Sequence, residues 1–248
     1  MDVKERNSND PNFKRHPWEI IRLEFVLNIL KRIYKNRKLP VNILDVGGGD
    51  LYVATGISGF FPDCKVVSVD TAYENCFDLP KIRTVNSIEK IPCETYSLVL
   101  LLDVLEHVED DKGFLKHIIK HYASPDTFIL ITVPLHPFLF SEHDVNLGHK
   151  RRYTCGELIQ QLQGAGLEII DSGNLFSSLF FFRTMQLIFG KVYTKLRPGY
   201  RGSLFADVSN WNHSDKLTNL MNWLLRVDIK YTNKLPGLSG YALAIPRS

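Results

Sequence analysis

The chain has 248 residues, 44% of them hydrophobic and 23% charged, with a formal net charge of +3. That length suits one α/β domain with additions and is short for two independent cores. So small a net charge argues against a nucleic-acid partner, and four cysteines without a Cys-x-x-Cys pair exclude a disulfide or zinc framework and read as reduced thiols.

Residues 1–15 are polar and Asn-rich, which predicts a frayed start without a signal peptide and hence a cytoplasmic protein. A leading helix is expected over 16–38, opened by Pro17 and carrying Trp18, Ile21, Phe25, Val26, Ile29 and Leu30 on one face. It either covers one edge of the sheet or borders a substrate entrance. Ile43 to Val46 then reads as a buried parallel strand, closing on Gly47, Gly48 and Gly49 before a segment that turns helical near Tyr52. Further strands are expected at Lys65–Asp70, Lys81–Val85, Ser97–Leu102 and Thr127–Val133, with a helix over Lys112–Tyr122. A helix over Thr154–Ala165 begins on a T-x-x-E capping box, and strands at Leu167–Gly173 and Gly240–Pro246 close the sheet. Residues 174–238 between them are too many for a hairpin and are expected to form a helical cap.

The chemistry centres on the glycine turn. Glycine lets the backbone adopt conformations closed to other residues and lets a ligand approach closely. Asp70, about twenty residues later at the end of the next strand, is placed to accept hydrogen bonds from a ribose diol. The dinucleotide fingerprint fails, because the position that needs its last glycine holds Tyr52. Asp45, two residues before the first glycine, suits a cofactor carrying an amine and a sulfonium.

The segments DVGGGDL, VVSVD and YSLVLLLDVLEHVEDD, in that order, resemble the class I S-adenosylmethionine-dependent methyltransferases. Leu51 departs from the pattern, standing where the family's loop has its third glycine. The resemblance implies a Rossmann-like, seven-stranded α/β sheet with an N-terminal helix and a helical cap before the last strand, and S-adenosylmethionine as cofactor. It implies cofactor contacts at Asp45, Gly47, Gly48, Gly49, Asp70 and the adjoining Thr71. Asn86 and Ser87 are expected at the adenine, and Asp103, Val104 and His107 beneath the cofactor; a turn or loop-ordering role is the alternative for Asn86, Ser87 and His107.

Whatever follows Pro134 should face the transferred methyl group. There the sequence places Glu142, His143, Asp144, His149, Arg151, Arg152 and Tyr153 within a dozen residues. Methyl transfer to a hydroxyl requires loss of its proton, and a histidine can take it near neutral pH. His143 is the first expected base, with Asp144 orienting it or binding acceptor, and His149 the second. Arg151 and Arg152, with Tyr153, either clamp an anionic acceptor or form salt bridges to Glu142, Asp144 or Glu157. His143, Asp144 and His149 fit no zinc spacing, so no metal is expected.

In the cap, Leu175–Gly190 carries one charge, Arg183, and reads as a cap helix or as an interfacial membrane helix followed by Lys191, Lys195, Arg197 and Arg201. Leu217–Val227 reads as a second amphipathic helix, and Ser203–His213 as a loop. The expected activity is O-methylation of a small-molecule or glycan-type acceptor, lipid-linked if the protein sits peripherally on the inner face of the membrane. N-methylation and a non-catalytic cofactor-binding module are the alternatives.

Overall fold

The computed structural model describes residues 15–35, 41–196, 214–231 and 234–247, and for 190–196 the backbone alone. The expected frayed start over 1–14, the end of the leading helix beyond 35, and the loop over 203–213 lie outside the described residues, as do Arg197 and Arg201.

The elements run α1 (Pro17–Ile33), β1 (Asn42–Val46), α2 (Tyr52–Phe60), β2 (Lys65–Val69), β3 (Ile82–Val85), β4 (Leu98–Leu102), α3 (Asp111–Tyr122) and β5 (Phe128–Pro134). They continue with α4 (Glu142–Leu147), α5 (Cys155–Gly164), β6 (Leu167–Leu175), α6 (Ser177–Leu196), α7 (Asp215–Tyr231) and β7 (Ser239–Pro246). The seven strands form one sheet in the order β3-β2-β1-β4-β5-β7-β6. The first five are parallel, and β7 inserts antiparallel between β5 and β6. The strand order reverses between β1 and β4, which opens a crevice at their carboxyl ends.

Strand periodicity divides the core. Leu44, Val46, Val99 and Leu101 point to the face covered by α3 and α5, while Ile43, Leu98 and Leu100 point to the face covered by α1, α2 and α7. All five β4 residues are buried, which is why SLVLLL reads apolar throughout. Full burial of each such side chain contributes about 1.5–3 kcal/mol, so the centre of the sheet is the rigid reference for the site.

Helix α1 starts on a capping box in which His16 Nδ1 accepts from Trp18 N at 3.2 Å and Glu19 reaches back to His16 N at 3.3 Å. Its buried face holds Ile21, Phe25, Val26, Ile29 and Leu30, and also Arg22. Between β6 and β7 the chain leaves the sheet to build α6 and α7. Asp228 of α7 accepts from Ser178 N at 2.9 Å and from Ser178 Oγ at 2.6 Å, capping α6. Leu225 and Phe176 anchor this pair in the core.

The stretch after β5 is more ordered than a polar loop. It contains a 3-10 turn at Pro137–Leu139 and α4, whose Ser141–Asp144 capping box supplies the start signal. No helix among the described residues is long and apolar enough to cross a membrane.

Candidate active site

Gly47 N and Gly48 N both donate to Val69 O, at 2.8 and 3.2 Å, which bends the chain across the end of β2. Gly47 has φ +71°, and a Cβ there would lie 2.7 Å from Val104 Cγ2. A Cβ on Gly48 would overlap Ser68 Oγ and approach Tyr73 OH to 2.8 Å. The turn therefore needs glycine for two reasons, backbone conformation at Gly47 and space at Gly48. Leu51 keeps the left-handed geometry, at φ 64° and ψ 14°. A non-glycine residue thus holds a conformation that glycine adopts freely, at a local cost of about 1–2 kcal/mol.

Asp70 closes the turn. Its Oδ2 accepts from Gly49 N and its Oδ1 from Ala72 N, both at 2.9 Å, fixing the carboxylate beside the glycines. Thr71 is exposed next to it. Asn86 and Ser87 follow β3 at the same edge; Asn86 Oδ1 accepts from Lys90 Nζ at 2.8 Å, and Ser87 opens a 3-10 turn. Beneath the glycines Asp45 is buried, and its Oδ2 has no hydrogen-bond partner among the described residues. Burial, with the nearby Asp70 and Asp50 carboxylates, pushes its pKa up to about 7. A buried carboxylate under a glycine cradle, steadied by Ser68 and with a second acid on its rim, is a donor set that fits an aminoacyl nucleoside cofactor.

The end of β4 forms the other wall. Asp103 has a left-handed φ of 55° and binds Arg22 of α1 at 2.6 Å and Thr132 Oγ1 of β5 at 2.8 Å. Burial opposes its ionisation, but Arg22 and Thr132 outweigh it and hold the pKa below the usual range. Val104 packs on the glycine turn and His107 is half-buried. Glu106 is fully buried, and neither of its oxygens makes a hydrogen bond of normal geometry among the described residues. Burial and the Asp103 charge push its pKa well up.

The acceptor-side stretch folds onto this wall. Asp144, fully buried, accepts from His149 Nδ1 at 3.0 Å, from Arg152 Nε at 2.8 Å and from Ser141 N at 2.9 Å. The His149 and His107 rings meet edge to face, 4.7 Å between centroids. Asp144 therefore orients His149, because the left-handed Gly148 ends α4 and folds His149 back over it. His143 stands half-buried on α4.

The three residues expected at the acceptor are tied to the protein itself. Arg151 binds Asp111 at 3.1 Å and Glu109 O at 2.8 Å, and Arg152 binds Asp144 and Leu135 O. For Arg152 the salt-bridge alternative to Asp144 is the arrangement found. Tyr153 is buried among the core side chains, and its hydroxyl donates to Asp111 at 2.6 Å.

Arg22 and Glu106 were not among the expected site residues. The helical face on which Arg22 falls was a sufficient signal, since a buried position in an apolar stripe requires a cation to have a partner. His136, also unanticipated, holds a left-handed φ of 64°, stacks on Phe180 at 4.4 Å and binds Gly237 O at 3.0 Å. It joins the cap to the sheet edge. Arg183 of α6 also reaches Ser141 Oγ, at 3.4 Å.

Comparison with known proteins agrees with this geometry. Residues 18–172 match a family model described as a methyltransferase domain. No curated protein matches the chain by sequence. Among solved structures, the plantazolicin methyltransferase BpumL, crystallised with a desmethyl-plantazolicin analogue and S-adenosylhomocysteine, is similar at a TM-score of 0.57 and 17% identity, over 99% of this chain and 88% of that one. A phosphoethanolamine N-methyltransferase of Haemonchus contortus, crystallised with S-adenosyl-L-methionine, is similar at 0.54 and 14%, over 91% of this chain and 53% of that one. An S-adenosylmethionine-dependent methyltransferase of Archaeoglobus fulgidus is similar at 0.50 and 15%, over 90% and 94%. At these identities the structural likenesses speak for the fold. The family match over most of the chain, the glycine turn with Asp45 and Asp70, and the 3-2-1-4-5-7-6 sheet agree: the chain belongs to the class I S-adenosylmethionine-dependent methyltransferases.

Proposed function

We propose that the chain methylates a hydroxyl oxygen of a small-molecule or glycan-type acceptor. The observation that carries this reading is the cluster of Glu106, His107, His149 and Asp144 beside Val104, which touches the glycine turn. Such a cluster suits an acceptor atom that must lose a proton as it attacks.

S-adenosylmethionine supplies an electrophilic methyl group on sulfur. Asp70 would hold its ribose, Asp45 and the glycine turn its aminoacyl end, and Asn86 with Ser87 its adenine. The acceptor O–H bond breaks as the O–C bond forms, and the C–S electron pair remains on sulfur. The proton passes to an imidazole of the cluster, with His149 ahead of His143 because Asp144 fixes its ring, or to water. The cap, fastened by His136 and Arg183, would limit water at the reacting atoms. Alignment of acceptor and sulfonium supplies the larger part of the rate.

Calorimetric titration with S-adenosylmethionine and its demethylated product is the first test. Asp70→Ala should weaken both by about ten- to a hundredfold, the loss of one charge-assisted hydrogen bond. Shape-matched alcohols and amines, assayed by release of S-adenosylhomocysteine, then separate oxygen from nitrogen. Transfer to amines alone would overturn the oxygen assignment, and binding without any transfer would leave a cofactor-binding module.

A peripheral place on the inner face of the membrane is part of the same proposal. Phe181, Phe182, Met185, Ile188 and Phe189 of α6 are all about half exposed, as are Leu220 and Trp223 of α7. Phe180 is different, turned inward onto His136. The four cysteines are free, which suits a reducing compartment. Cosedimentation with anionic vesicles should be lost on Phe181→Ser with Phe182→Ser. Absence of wild-type binding at low salt would rule the membrane out.

A further inference from the structure

We propose that Glu106, His107 and His149 bind a divalent transition-metal ion of the zinc type. One donor atom from each lies within 4.8 Å of the others. A tetrahedral ion with bonds near 2.1 Å needs donors about 3.4 Å apart, so the side chains must close by roughly an ångström. Two imidazoles and one carboxylate form a donor set suited to zinc, iron or cobalt rather than magnesium.

The independent pointer is Glu106. A fully buried carboxylate whose oxygens meet, among the described residues, at most the strained N–H of its own backbone is costly in any fold. The two guanidiniums that weigh on it are already matched, Arg22 by Asp103 at 2.6 Å and Arg152 by Asp144 at 2.8 Å. Glu106 is thus the acid in excess, facing two rings that can donate lone pairs. Behind His149, Asp144 accepts from Nδ1, the arrangement that leaves Nε2 for an ion and fixes the ring toward it. Lys150 N donates to Glu106 O at 2.8 Å, so the main chain holds the two stretches together.

Three protein ligands leave a coordination position open, and His107, half-buried, lies on its exposed side. Resting on the methyltransferase reading, that position would take the acceptor hydroxyl and lower its pKa; with an ion bound, His149 would serve as a ligand in place of its role as base, and the hydroxyl proton would leave to water. Acceptors with a second oxygen beside the methylated one would chelate the ion and bind best.

The test is titration of the metal-stripped full chain with Co2+ and Zn2+, with Mg2+ as control, followed by visible absorption and calorimetry. One equivalent of Co2+ should bind with the bands of a four- or five-coordinate site. Glu106→Gln should weaken binding by about a hundredfold, and so should His107→Ala, at a half-buried position outside the hydrophobic core clusters. S-adenosylhomocysteine binding is measured on the same samples. Cofactor binding without any metal binding, or metal binding unchanged in both variants, overturns the site and leaves Glu106 a neutral buried acid. Metal binding without cofactor binding would instead refute the methyltransferase reading and keep the site.

Discussion

Removing the Asp144 carboxylate should do more damage than any other single change in the acceptor-side stretch. Asp144→Ala leaves Arg152, 10% exposed, without its charge partner, and frees the Ser141 N–H and the His149 ring. Breaking a buried pair from one side costs about 3–5 kcal/mol, because the remaining charge stays desolvated. For a chain of this size each kcal/mol moves Tm by about 2–4 °C, so a fall of roughly 6–20 °C is expected. Burial alone would raise the pKa of Asp144, but the His149 and Arg152 hydrogen bonds outweigh it and hold it below the carboxylate range. The stabilisation is therefore complete at neutral pH and is lost only as acid protonates the folded carboxylate, below about pH 4. Urea unfolding of wild type, Asp144→Ala, Arg152→Met and the double variant measures it. The double variant should cost about 1–3 kcal/mol less than the sum of the single ones. A loss under about 1 kcal/mol for Asp144→Ala, or simple additivity, would refute the coupling.

Asp45→Asn should remove a pH dependence. With a folded pKa of about 7 against an ordinary 3.8, the folded state keeps a proton that the unfolded chain has released. Wild-type stability should then fall between about pH 4 and pH 7, by up to about 4 kcal/mol, and comparison of urea midpoints at pH 5 and pH 8 should show a smaller drop in the variant. Gly48→Ala, whose methyl group overlaps Ser68 Oγ, should cost about 1–3 kcal/mol and abolish cofactor binding, as read by calorimetry. Glu24→Ala breaks a two-pronged bond to Arg226 between α1 and α7, but the Arg226 side chain is half exposed and that of Glu24 about a third, so water screens the pair. Its cost should stay below about 1 kcal/mol in the same urea assay.

Strands and the glycine turn were legible because their signals are local. A run such as Leu98–Leu102 needs only its own composition to declare burial on both faces, and the left-handed positions of Gly47 and Gly49 follow from residue type. The acceptor side was legible as a concentration of polar groups but not as a set of pairs. His143, Asp144 and His149 offer several pairings in sequence, and the choice is made by one helical turn and the left-handed Gly148 after it. Tyr153 sits in a polar run, yet Asp111 on α3 and the β5 edge bury it. The Arg22–Asp103 contact and the orphaned state of Glu106 depend on which helix lies over which strand end, information that no window of sequence contains.

The cap enters and leaves the sheet through two strands that are hydrogen-bonded neighbours, β6 and β7. Its roughly sixty residues occupy the place of a short hairpin turn, and such lengthening adds only about 2 kcal/mol of closure entropy. The five parallel strands and the glycine turn lie wholly upstream of that junction. A lineage could therefore exchange one cap for another without altering a residue of the glycine turn or of the five parallel strands. Diversification of this fold at the β6–β7 junction is a matter of editing one edge hairpin.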